Sequence, residues 1–160
     1  MIQWYSWLVF FHVAGVFVFL GAHGVTAFVI FRVRAEQDLA ALRALLLLSA
    51  VASMASLFAL AVLLIGGIAA AFVGGWWAFG WPWVALGVLV VVWGVMSAWP
   101  GREMRRLREA AGFTGPTQIT AAAKPEAVAS AQMAVHPWIG AVVGGVGLLI
   151  ILWLMVFKPF

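Results

Sequence analysis

The chain has 160 residues, 66% of them hydrophobic and only 9% charged, with a formal net charge of +4. A soluble globular domain is about half apolar and about a quarter charged, and a domain of this size leaves much of its surface in solvent, so lipid must solvate most of this one. Cysteine is absent, which excludes disulfides, thiolate metal sites, thiol catalysis and covalent haem attachment through a Cys-x-x-Cys-His motif.

The first apolar stretch, Trp4 to Phe31, lacks a basic leading region and is too long for the core of a cleavable signal, so it reads as a retained span. The second runs from Ala44 to Val73, the third from Pro82 to Trp99 and the fourth from Pro137 to Phe157. Each meets the roughly 17–25 residues needed to cross a bilayer, and none contains Asp, Glu, Lys or Arg. Backbone polar groups in lipid must be satisfied within the segment, which predicts helices. A barrel is excluded because no stretch alternates with period two. The expected fold is all-α, a single-domain four-helix transmembrane bundle over residues 1–160.

Charge predicts orientation. Arg32, Arg34 and Arg43 lie between the first two spans, and Arg102, Arg105, Arg106, Arg108 and Lys124 between the last two, whereas Gly74 to Trp81 carries no charge. The positive-inside rule makes the basic side cytoplasmic and puts both chain ends outside, N-out/C-out, with Lys158 the one basic residue there. The expected location is a bacterial inner membrane. The same rule accounts for the high sequence pI without nucleic acid, since no basic patch is interleaved with exposed aromatics. Trp4, Tyr5, Trp7, Trp76, Trp77, Trp81 and Trp83 mark the outer interface, and Trp99 and Trp138 the inner one.

Between the last two spans, Arg102 to Ala111 is expected to extend helix three, Gly112 to Pro116 to turn, and Ala121 to Val135 to be helical with Pro125 in its first turn. Gly66-Gly67 and Gly74-Gly75 read as a helix end and a turn, with no phosphate-binding loop. Ser49, Ser53 and Ser56 share one side of helix two, and Gly140 and Gly144 sit at the small-xxx-small spacing of packed membrane helices. Such a face serves helix packing, a homodimer contact or a flat cofactor.

Only His12, His23 and His136 within or bordering the spans readily titrate or bind a metal. An ionisable group inside a membrane is a functional hypothesis by default. His12 and His23 are separated by three helical turns and about 20°, so they share a face and lie about 16.5 Å apart along the axis. Two haems stacked across a bilayer need ligands arranged in this way, and neutral imidazole is an axial ligand to haem iron. Gly15, one turn from His12, is expected to admit the porphyrin edge, and His136 is a candidate partner for His23 across an inner haem. An outer haem on His12 would be five-coordinate, ligated by Met54 or Met96, or shared across a dimer. The alternative is structural: each imidazole bonding a neighbouring carbonyl or serine. No carboxylate pair lies inside the spans for proton translocation, and no hydrolase motif is present.

Phe11-His12-Val13-Ala14-Gly15, Gly21-Ala22-His23-Gly24-Val25, Phe31-Arg32-Val33-Arg34, Gly74-Gly75-Trp76-Trp77 and the closing Leu152 to Phe160 resemble a group of bacterial four-helix integral membrane proteins, loosely similar to the copper-resistance-D-like family. The likeness covers most of the chain. It implies the bundle, a histidine in an early helix near glycines, which His12 matches, and copper handling as an alternative to haem.

The leading expectation is a haem b membrane protein working with a quinone pool, part of a membrane redox system, with His12, His23 and His136 as ligands and Gly15 beside them. The alternatives are copper or other metal handling, a small-solute permease, and a structural subunit or homo-oligomer of a larger membrane complex.

Overall fold

The computed structural model describes residues 2–160. Six α-helices account for the fold: α1 (Ile2–Val33), α2 (Leu39–Val73), α3 (Trp81–Ala98), α4 (Pro100–Ala110), α5 (Pro125–Met133) and α6 (Pro137–Phe157). Among the described residues there is no strand, only an isolated antiparallel bridge between Phe113 and Ile119. α1, α2, α3 and α6 are long and apolar enough to cross a membrane. At about 1.5 Å per residue, α1 and α2 exceed the roughly 30 Å hydrocarbon thickness, so both must project or tilt.

Proline and one acid set the helix starts. α3, α4, α5 and α6 each open with proline in the first turn, where the missing N–H leaves no orphan donor. α2 begins at Leu39, several residues before the apolar run, because Asp38 caps it and accepts from Ala40 N at 3.3 Å and Ala41 N at 2.9 Å. The expected extension of helix three is present as α4, set off from α3 by a one-residue turn at Trp99. Pro100 cannot donate to the preceding turn, and the chain breaks at Trp99 before α4 sets off. Helix also occupies less of 121–135 than its composition suggests. Ala121 and Lys124 donate their backbone N–H groups to Gly112 O and Ala110 O instead, and α5 starts only at Pro125.

The helices form two close pairs. α1 packs antiparallel along α2, and α3 along α6. Glycines set the approach within the second pair: Gly147 lies against Val92, and Gly140 against Met96 and Pro100. The pairs meet where Gly144 of α6 faces His23 of α1 and where Trp138 packs edge-on to Phe31 at 5.1 Å.

Burial is concentrated at the basic end. Val29, Val33, Leu42, Leu46, Met104, Leu107, Phe113, Val128 and Val135 form one buried cluster that joins α1, α2, α4, α5 and the loop before α5. Long side chains tie this end together. Gln132 Nε2 donates to Val33 O and Glu36 O, closing the end of α1, and Arg43 Nε donates to Ala111 O at 2.9 Å, closing the end of α4. Elsewhere large apolar side chains point outward, Phe17 and Phe58 among them. In lipid these gain nothing from burial, because hydrocarbon solvates them as well as a core does.

The opposite, aromatic end has a small cluster of its own. Gly75, at φ 69°, turns α2 into a short 3₁₀ segment, Trp76–Ala78. The end of α6 folds back over it. Lys158 adopts a left-handed conformation (φ 45°), which sets its ammonium 4.0 Å from the centre of the Trp76 ring. Trp81 N then donates to Phe160 O at 3.3 Å.

Candidate functional site

Three glycines and a histidine make the α1–α2 crossing. A Cβ on Gly15 would lie 2.8 Å from Leu63 Cβ, and one on Gly66 would lie 3.0 Å from His12 N. A Cβ on Gly67 would lie 2.6 Å from His12 Nδ1. Gly15 and Gly66 meet the partner helix at its backbone or a Cβ, so glycine permits the close approach there, while at Gly67 it leaves room for the His12 ring. His12 Nδ1 lies 2.6 Å from the Leu63 carbonyl oxygen. A carbonyl can only accept, so Nδ1 carries the proton, and in the neutral ring Nε2 holds the lone pair.

This crossing revises two expectations. Gly66-Gly67 is no helix end: α2 continues to Val73, and the pair forms the seat of the His12 ring. Gly15 is buried against Leu63 rather than left open for a porphyrin edge.

His23, on the same stripe of α1, meets a different helix. Its ring stacks on Phe19 at 5.5 Å with 12° between the planes. A Cβ on Gly144 of α6 would lie 3.3 Å from His23 Nε2. His12 therefore faces α2 and His23 faces α6.

The structure does not bring His136 to His23. His136 precedes α6 by one residue, and eight residues separate it from Gly144, about 12 Å along a helix. It is held by Glu103 of α4. The carboxylate accepts from His136 N at 2.9 Å, from His136 Nδ1 at 2.8 Å and from Trp99 Nε1 at 3.0 Å. The Glu103 side chain is only 12% exposed, while that of His136 is 56% exposed. Met54 points outward and Met96 packs beside Gly140.

Ser49 and Ser53 of α2 serve the basic end, and among the described residues the serines of α2 bond no histidine. Ser49 is fully buried. Its hydroxyl donates to Leu46 O and accepts from Arg108 Nη2 at 2.7 Å, and Ser53 Oγ donates to Ser49 O at 2.7 Å. Ser56 Oγ and Arg108 Nε are buried without a hydrogen-bond partner among the described residues.

Leu63, Glu103 and Arg108 were invisible as site residues in the sequence. A backbone acceptor leaves no mark on residue type, and Glu103 lies 33 residues from the histidine it holds. Among the described residues no three His, Cys, Asp or Glu side chains gather as a metal cage. No family model matches the chain, and neither the curated proteins nor the solved structures give a match.

Proposed function

We propose that this chain binds haem b within the membrane through His12 and passes electrons between a membrane quinol and a second carrier. The observation that carries the reading is the bond between His12 Nδ1 and Leu63 O. A metal-bound imidazole needs a neutral ring, a fixed tautomer and a braced orientation, and a backbone acceptor on the distal nitrogen supplies all three. With Nδ1 committed, Nε2 is the nitrogen left for iron. Haem needs no cage of several protein ligands, since the porphyrin fills four positions itself. When bound, it supplies one-electron chemistry.

His12 is favoured over the other two histidines. The Nε2 of His23 lies against the backbone of α6, and His136, although its Nδ1 is braced in the same way by Glu103, stands more than half exposed just before α6 begins. In this reading the basic end is cytoplasmic, both chain ends are outside, and the membrane is a bacterial inner membrane, in keeping with the distribution of Arg and Lys. The resemblance to copper-resistance-D-like proteins fits a metal-linked role for His12 but carries no ligand set beyond it.

The test is the haem content of the full chain, purified in detergent after expression with ample haem supply. A Soret band and a reduced b-type spectrum are expected. A preparation that stays colourless under those conditions overturns the assignment.

A further inference from the structure

We infer that His136, Glu103 and Trp99 form a headgroup site for a quinol at the basic end of the bundle. The inference rests on the functional reading only for naming the ligand a quinol; the site itself stands on its geometry.

Glu103 does more than cap α6. Capping needs one acceptor for the His136 backbone N–H, and Oε2 supplies it. The second oxygen, Oε1, takes the imidazole Nδ1–H at 2.8 Å and the Trp99 indole N–H at 3.0 Å. The pair of bonds holds the His136 ring at a set angle beside the Trp99 indole. Nδ1 is the donor to the carboxylate, so the neutral ring presents the Nε2 lone pair to whatever approaches. More than half of the side chain is exposed, which makes that approach open.

The surroundings select the ligand's chemistry. Trp99 and Trp138 are both largely exposed, and Trp138 packs against Phe31. An indole bonded to the same carboxylate oxygen as the imidazole favours a flat ring with an apolar tail. The carboxylate behind the imidazole disfavours a phosphate or carboxylate headgroup and favours a hydroxyl that donates to Nε2. A quinol has the flat ring, the tail and the hydroxyl. The start of α6 is also where the apolar span begins, the depth at which a quinol headgroup resides when its tail lies in the bilayer.

The test uses the full chain in nanodiscs with 15N-labelled imidazoles, titrated with duroquinol and, separately, with its dimethyl ether, which keeps the ring but lacks the hydroxyls. Duroquinol is expected to bind saturably and to move the Nε2 resonance of His136 while leaving those of His12 and His23 in place. The ether is expected to bind at least about tenfold more weakly, the loss of one hydrogen bond to a group left unpaired. His136→Ala keeps the backbone N–H that Glu103 accepts, so the start of α6 survives, and its affinity for duroquinol is expected to fall by at least the same factor. No saturable binding, equal binding of the ether, an unmoved His136 Nε2 resonance, or undiminished binding by a folded His136→Ala variant each overturns the site. The assay needs no haem. A colourless protein that binds duroquinol at His136 loses the haem assignment and keeps this site, and a haem-loaded protein that does not bind it loses this site alone.

Discussion

His12 of α1 donates from Nδ1 to the carbonyl oxygen of Leu63, in the middle of α2, at 2.6 Å. A polar side chain within the apolar span thus bonds to backbone that already belongs to a helix, using the carbonyl's second lone pair. Gly67 makes the bond sterically accessible. Gly67→Ala would put a methyl where the imidazole now lies, so the ring must leave its acceptor. The expected cost is about 1–3 kcal/mol of helix-pair stability, read as a lower midpoint in thermal unfolding followed by circular dichroism in detergent. An unchanged midpoint would show that the ring has room to spare.

Gly15 and Gly21 make a matched pair on the same helix. A Cβ on Gly15 meets Leu63 at 2.8 Å, whereas one on Gly21 meets nothing within 4 Å. Gly15→Ala is therefore expected to destabilise by about 1–3 kcal/mol through overpacking. Gly21→Ala is expected to be neutral or to stabilise by up to about 1 kcal/mol through helix propensity. Equal effects from the two would contradict the close α1–α2 crossing.

At the basic end, Ser49→Ala removes the acceptor of Arg108 Nη2. Because Arg108 Nε already lacks a partner, the guanidinium would lose its one hydrogen bond among the described residues. The expected cost is about 1–3 kcal/mol. Ser53→Ala loses only a local bond to the Ser49 carbonyl and is expected to cost under about 1 kcal/mol. Unfolding midpoints of the two variants give the comparison.

Lys158 separates backbone from charge. Its left-handed backbone suits glycine, while its ammonium lies over Trp76. Lys158→Gly keeps the turn and loses the cation–π contact, expected to be worth about 0.5–2 kcal/mol. Lys158→Ala loses the contact and keeps the positive-φ cost that lysine already carries and glycine sheds, about 1 kcal/mol. Alanine should thus be the more destabilising, and a reversed order in thermal unfolding would count against the docked end of α6.

The spans were legible in the sequence because length and apolarity alone decide them, and α6 begins and ends as its composition indicates. The turn at Trp99 is not legible in the sequence, because the arginines after Pro100 fit a continuing helix. The site was legible only in part. His12 stood out as an imidazole in lipid, but what it touches depends on which residues of α2 lie opposite, and apolar periodicity does not set that register. Gly66-Gly67 looked like punctuation for the same reason: a glycine pair that ends a helix and one that seats a crossing residue are alike until the partner helix is placed.

The most direct measurement is the absorption spectrum of the purified chain, oxidised and then reduced, beside those of His12→Ala, His23→Ala and His136→Ala. His12→Ala alone is expected to lose the Soret band, and added imidazole to restore part of it by entering the space the side chain vacates. A band that survives His12→Ala unchanged would contradict the assignment of His12 as the ligand.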